Sequence, residues 1–153
     1  MIVALLFVLG VLNYVDRTAI SYAVTDIARE FDLDDREIGL VLAAFGIGYF
    51  ITTLAGGVAV DRFGARRVVI VAALLWVAAM GGAGSATGVT SLVLARMLHG
   101  LAEGPNCPAT SRVISVCLSP HERATALAHT LVAVPLALAL SAPLITWLLT
   151  TLG

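Results

Sequence analysis

The stretch IGLVLAAFGIGYFITTLAGGVAV, residues 38–60, decides the fold class because it carries no charged side chain. An α-helix needs about 20 mainly apolar residues to cross the hydrocarbon core of a bilayer. Residues 68–95 and 124–153 are uncharged runs that also exceed this length, and residues 1–15 form a shorter one. The sequence therefore predicts an all-α membrane protein with at least three transmembrane helices.

Two further spans follow if charged residues are accepted inside a helix. One covers residues 2–28 and includes Asp16 and Arg17, and the other covers residues 90–116 and includes Glu103. A cleaved secretory signal is the alternative for the N-terminus, but no basic region precedes the apolar run and no clear cleavage site ends it. We therefore predict five spans, at residues 2–28, 38–60, 68–86, 90–116 and 124–149.

The amino-acid composition agrees with a membrane protein. Hydrophobic residues make up 59% of the chain and charged residues 12%, and the mean hydropathy is +0.99. Soluble domains contain about 25% charged residues. We expect a lipid bilayer around the chain and no nucleic-acid partner.

The arginines indicate the orientation of the chain in the membrane. All nine basic residues are arginines, and residues 61–67 contain three of them, whereas residues 31–37 contain one among four acidic residues. Short loops that are rich in basic residues stay in the cytoplasm. We therefore expect residues 61–67 and the N-terminus in the cytoplasm and the C-terminus outside.

The cysteines and histidines give no sign of a metal site. Cys107 and Cys117 are separated by ten residues, which is about 15 Å along a helix and too far for a disulfide. We expect both cysteines to be buried small side chains. His99, His121 and His129 show no paired ligand spacing, so we assign no metal and expect no cofactor.

Small residues recur every fourth position in the second predicted span. The series Ala44, Gly48, Thr52 and Gly56 lies on one face of a helix. Small side chains let the backbones of membrane helices approach closely. We expect this face to pack against a neighbouring helix.

The fourth predicted span carries polar residues on one helical face. Intervals of three and four residues place side chains on the same side of a helix, and the series consists of Arg96, Gly100, Glu103, Cys107 and Thr110, with His99 and Asn106 beside it. Inside a bilayer such a face lines a cavity or pairs with a neighbouring helix. A purely structural ion pair is the alternative.

Prolines predict where the helices are interrupted. Pro105 and Pro108 follow Glu103 closely, and a proline inside a helix removes a hydrogen bond to the carbonyl four residues earlier. We expect irregular backbone near Glu103, which membrane proteins tolerate beside a cavity. Pro135 and Pro143 predict similar breaks in the last span.

Arg17 is the candidate anchor for an anionic ligand, because its planar guanidinium matches a carboxylate or phosphate. Glu103 is its candidate counter-charge. Burial disfavours an ionised carboxylate and a nearby arginine favours it, so a substrate that takes over Arg17 makes Glu103 easier to protonate. The alternative is that Asp16 alone neutralises Arg17.

The sequence GVAVDRFGARR at residues 57–67 resembles the signature between the second and third helices of the major facilitator superfamily. It contains a glycine, an Asp-Arg pair, a second glycine and further arginines. The resemblance implies a tight cytoplasmic turn whose charges hold one conformation of a transporter, and these latch residues are Asp61, Arg62, Gly64, Arg66 and Arg67. A solvated basic turn is the alternative.

Four further stretches resemble the anion:cation symporter family, which includes proton-coupled sugar-acid transporters and vesicular and lysosomal anion carriers. They are residues 13–21, 44–49, 96–108 and 119–124. The resemblance implies that Arg17 binds the carboxylate of the substrate and that Asp16 and Glu103 take part in proton coupling. It also implies that the cavity is lined by Tyr14, Tyr49 and Asn106.

The chain departs from this family in two residues and in length. Cys107 and Cys117 stand where the family often has aromatic residues. The family has about twelve spans in two six-helix halves, so we expect residues 1–153 to be a partial N-terminal transmembrane bundle. A fragment, a natural truncation and a unit that assembles with a missing C-terminal half or a second chain all remain open.

These observations favour a secondary active transporter of a bacterial inner membrane, with a small organic anion such as a sugar acid as its substrate. A proton is the expected coupling ion, although the carboxylates suit sodium as well. The alternative is a non-transporting assembly module or an inactive truncated chain. We expect no enzyme, because no nucleophile or metal cluster accompanies Glu103 and His99.

Overall fold

A computed structural model describes residues 1–152, which form α-helices joined by short connections and contain no β-strand. The helices are α1 (Ile2–Glu30), α2 (Asp35–Phe63), α3 (Ala65–Gly84), α4 (Val89–Glu103), α5 (Asn106–Cys117) and α6 (Pro120–Leu152). Four of them, α1, α2, α3 and α6, are long and apolar enough to cross a membrane. The predicted all-α membrane fold is confirmed.

The fourth predicted span is divided into two helices. α4 has 15 residues and α5 has 12, so each is shorter than the roughly 20 residues that cross a bilayer. The break lies at Gly104 and Pro105, directly after Glu103. The predicted irregularity near Glu103 is confirmed, because Pro105 has no N–H to continue the hydrogen-bond series of α4.

The predicted breaks at Pro135 and Pro143 are wrong. α6 continues through both prolines over 33 residues. A single proline removes one backbone hydrogen bond, and a membrane helix tolerates this loss through local adjustment. Between α4 and α5, by contrast, Gly104, Pro105 and Pro108 follow one another within little more than one turn.

The described residues divide into two compact units. The terminal unit comprises Met1–Asp26 and the chain from Ile114 onward, and the central unit comprises Ile27–Val113. In the terminal unit α1 packs on α6, where Thr18 Oγ1 donates a hydrogen bond of 2.8 Å to Ser141 Oγ. The Ser141 hydroxyl in turn donates a hydrogen bond of 2.6 Å to the carbonyl of Ala137, which lies one turn earlier on α6.

In the central unit α2 and α4 are in close backbone contact. A Cβ atom added to Gly48 would collide with the Met97 carbonyl, and one added to Gly100 would collide with the Phe45 carbonyl. Gly56 also lies close to Pro105, whose Cα would be 2.9 Å from an added Cβ. The predicted packing role of the small-residue series on α2 is confirmed.

The two cysteines form no disulfide, as predicted, but both are exposed at the protein surface. The prediction that they are buried is therefore wrong. In a membrane protein the outer surface faces lipid, so a small apolar thiol gains little from moving inside.

Candidate functional site

Three charged or polar side chains form a buried ladder on α4. Arg96, His99 and Glu103 are only 6%, 3% and 2% exposed. Arg96 Nη1 lies 3.1 Å from His99 Nδ1, and His99 Nε2 lies 3.0 Å from Glu103 Oε1. Spacings of three and four residues place the three side chains one above another on the helix. We call this set the α4 ladder.

Phe45 of α2 packs against two members of the α4 ladder, Arg96 and His99. The guanidinium carbon of Arg96 lies 4.7 Å from the centroid of the Phe45 ring, and the His99 ring meets the same ring edge-on at 5.2 Å. Phe45 in turn stacks on Tyr49, with 6.0 Å between the ring centroids. Guanidinium groups are attracted to the face of an aromatic ring, so Phe45 helps to hold Arg96 in place.

The predicted polar stripe is found only in part. Arg96, Gly100 and Glu103 are buried, but Cys107 is exposed. The stripe was derived for one continuous helix, and the break at Gly104 and Pro105 ends that register before Cys107 is reached. Asn106 is the first residue of α5 and is half-buried.

Sequence reasoning missed two members of this region. His99 was placed beside the polar face, although it bridges Arg96 and Glu103. Phe45 belongs to a stretch that resembles a transporter family but received no role. A detectable signal was the i, i+3, i+7 spacing of Arg96, His99 and Glu103, which aligns all three on one side of a helix.

In the terminal unit, α1 carries the other predicted site residues. Tyr14, Asp16 and Arg17 are half-buried and lie within one turn. The guanidinium carbon of Arg17 is 4.8 Å from the centroid of the Tyr14 ring. The pairing of Arg17 with Glu103 would join the two units and stays a prediction.

The turn between α2 and α3 holds the predicted latch residues. α2 ends at Phe63, Gly64 has a φ of +83°, and α3 begins at Ala65. Asp61 Oδ1 lies 3.7 Å from Arg112 Nε of α5, and these side chains are 72% and 52% exposed. The turn is therefore tight, and Asp61 is paired with Arg112, which lies within the fourth predicted span at residues 90–116.

Comparison with known proteins assigns the chain to a family. Residues 6–153 match the family model described as Major Facilitator Superfamily. The hexuronate transporter of Bacillus subtilis is 35% identical over 144 residues, which are 94% of this chain and 34% of that protein. A probable galactarate/D-glucarate transporter of Pseudomonas putida is 34% identical over 132 residues, which are 82% of this chain and 29% of that protein.

A solved structure has the same fold. It is the crystal structure of a bacterial homologue of the human lysosomal transporter Spinster in an inward-facing and occupied conformation, and it superposes with a TM-score of 0.83 at 23% identity. The match covers 89% of this chain and 30% of that one. The chain thus spans about a third of the length of the curated relatives it matches. It is an integral membrane protein that belongs to the Major Facilitator Superfamily.

Proposed function

We propose that the chain forms the N-terminal transmembrane bundle of a secondary active transporter, which carries a small organic anion such as a sugar acid in symport with protons. The observation that carries this proposal is the α4 ladder, a carboxylate and a guanidinium buried within a helix of a membrane protein. Ionisable groups at membrane depth are costly and mark substrate or ion pathways. The curated relatives named above are transporters of hexuronate and of galactarate or D-glucarate.

Arg17 is the proposed anchor for the carboxylate of the substrate. Its guanidinium can donate two parallel hydrogen bonds to a carboxylate, and the Tyr14 ring at 4.8 Å restrains its position. The remaining proposed substrate contacts are the side chains of Tyr14, Tyr49 and Asn106, whose hydroxyl and amide groups suit the hydroxyl groups of a sugar acid.

Glu103 and Asp16 are the proposed proton-coupling groups. Glu103 is the more strongly supported of the two, because it is buried and lies within hydrogen-bond distance of His99 on its own helix. Intramembrane carboxylates form proton relays in pumps and transporters. Glu103 is proposed to load a proton in one conformation and to release it as the site opens to water.

The transporter is proposed to lie in a bacterial inner membrane with its N-terminus in the cytoplasm. The arginine-rich turn at residues 61–67 then faces the cytoplasm, as the positive-inside rule requires. Its residues Asp61, Arg62, Gly64, Arg66 and Arg67 are the proposed latch of one conformation. Alternating access rocks one helical bundle against another, so a C-terminal half or a second chain completes the transport unit.

Uptake of a radiolabelled hexuronate into right-side-out membrane vesicles of cells that express the complete transport unit tests the proposal. We expect uptake to follow an inward proton gradient and not a sodium gradient. Losing a buried charged partner typically costs about 2–5 kcal/mol, so Arg17→Ala should raise KM by at least about tenfold. Arg36→Ala, which removes an exposed arginine, is the matched control.

A second pair of variants tests the coupling role. Glu103→Gln should abolish accumulation against a gradient and retain substrate exchange across the membrane, because exchange needs no net proton transfer. The exposed Glu30→Gln is its control. Wild-type accumulation by both Arg17→Ala and Glu103→Gln would refute the site, and uptake driven by sodium alone would refute proton coupling.

A further inference from the structure

We propose that His99 is a positioning residue, held as the neutral imidazole with its proton on Nε2, which orients the carboxylate of Glu103. The role for Glu103 rests on the proposed function, whereas the protonation state of His99 follows from the geometry of the α4 ladder alone.

The neighbour on the Nδ1 side determines which ring nitrogen carries the proton. Arg96 Nη1 lies 3.1 Å from His99 Nδ1. A guanidinium donates hydrogen bonds and has no acceptor. His99 Nδ1 must therefore accept, and a proton on Nδ1 would place two donors against each other.

The Nε2 side is consistent with this assignment. With Nδ1 as the acceptor, a neutral imidazole carries its proton on Nε2, and Nε2 lies 3.0 Å from Glu103 Oε1. His99 Nε2 therefore donates to the carboxylate. The contact between His99 and Glu103 is a hydrogen bond from a neutral ring, because an imidazolium would require a second proton on Nδ1.

Packing within the central unit holds the ring in this orientation. His99 is 3% exposed, and the Phe45 ring meets it edge-on at 5.2 Å. Gly100, the next residue of α4, lets the α2 backbone approach so closely that an added Cβ would collide with the Phe45 carbonyl. On α2, the titratable side chain of Tyr49 stacks on Phe45.

The hydrogen bond from His99 has a consequence for proton uptake by Glu103. Oε1 accepts from Nε2 in the ionised carboxylate, and it can still accept once Glu103 has taken up a proton and become a neutral carboxylic acid. The Nε2 proton stays on the ring throughout. His99 thus keeps the carboxyl group in one orientation and does not itself carry the proton.

Two substitutions distinguish positioning from proton carriage. In His99→Gln the amide oxygen can accept from Arg96 and the amide nitrogen can donate to Glu103, yet the group does not titrate. His99→Phe keeps a ring of similar size and removes both hydrogen bonds. We expect His99→Gln to retain at least about half of proton-driven hexuronate uptake and His99→Phe to lose it by about tenfold. Equal loss in both variants, or wild-type uptake by His99→Phe, would overturn the proposal.

Nitrogen-15 NMR of histidine-labelled protein in nanodiscs gives a readout that needs no transport. The His99 signals are assigned by their absence in His99→Gln, and the exposed His121 and His129 serve as internal references. We expect a protonated Nε2 and an unprotonated Nδ1 for His99. An Nδ1-protonated ring or an imidazolium would contradict the proposal, whereas absent uptake with the expected spectrum would count against the transport function alone.

Discussion

The α4 ladder and the turn between α2 and α3 use the same kinds of side chain in opposite surroundings. The ladder is nearly inaccessible and its two contacts are 3.1 Å and 3.0 Å long, whereas Asp61 and Arg112 are 3.7 Å apart and largely exposed. Exposed ion pairs contribute about 0–1 kcal/mol, while leaving a buried donor or acceptor without its hydrogen-bond partner costs about 1–3 kcal/mol. Burial, more than charge, therefore determines which of the two regions governs stability.

The largest expected effect comes from separating α2 from α4. Gly100→Leu introduces a side chain where even a Cβ would collide with the Phe45 carbonyl. Overpacking of a core typically lowers the free energy of unfolding by about 1–3 kcal/mol. We expect the upper part of this range, because the obstructing atom belongs to the backbone and cannot move aside as the end of a flexible side chain can. We expect most of the protein to elute as aggregate in detergent size-exclusion chromatography.

The matched control for this substitution is Gly46→Leu on α2, where no atom lies within 4 Å of an added Cβ. It should elute as the wild-type protein does. Equal behaviour of the two variants would show that close contact between α2 and α4 does not support the ladder.

The next largest effect is expected within the ladder itself. Arg96→Met removes the donor to His99 Nδ1 and leaves a buried acceptor unsatisfied, which costs about 1–3 kcal/mol. Thermal unfolding in nanodiscs should show a clear decrease in Tm. Arg62→Met, at an exposed position of the turn, is the control, and a similar decrease in both would remove the distinction between buried and exposed charges.

Elementary rules predict the helices better than they predict the ladder. Uncharged runs locate α2, α3 and α6, and the glycine with two prolines after Glu103 locates the break between α4 and α5. The same proline rule fails in α6, because one missing hydrogen bond at Pro135 is a small loss for a long membrane helix. Local rules therefore predict an interruption where several helix-breaking residues coincide.

The bridging position of His99 lies beyond such rules. Helical spacing aligns it with Arg96 and Glu103, but the orientation of its ring depends on Phe45 of another helix. Contact with Phe45 depends in turn on the absence of a side chain at Gly100. A tertiary contact of this kind depends on two segments of the chain at once. The periodicity of one segment describes that helix alone and does not predict its contacts with another.

A smaller effect is expected at the aromatic cover of the ladder. Phe45→Leu keeps an apolar side chain and removes the ring beneath Arg96, and a desolvated cation–π contact is worth about 2 kcal/mol. We expect a modest decrease in Tm. Because Arg96 is then held less firmly against His99 Nδ1, we also expect a mixed protonation of His99 in nitrogen-15 spectra. Phe50→Leu, on the exposed face of the same helix, should change neither quantity.

The smallest effect on stability is expected at the turn, and here transport and stability should diverge. Asp61→Asn removes one charge of a largely exposed pair with Arg112, so the expected change in the free energy of unfolding is within about 1 kcal/mol and Tm should hardly move.

If the turn latches one conformation, the same substitution should alter the maximal uptake rate and leave KM unchanged, because no proposed substrate contact is touched. Arg112→Gln removes the other charge and should reproduce the effect, and the double variant should add little to either single one. A large decrease in Tm would instead make the turn a structural element like the ladder, whereas unchanged uptake in all three variants would leave it as a solvated basic turn.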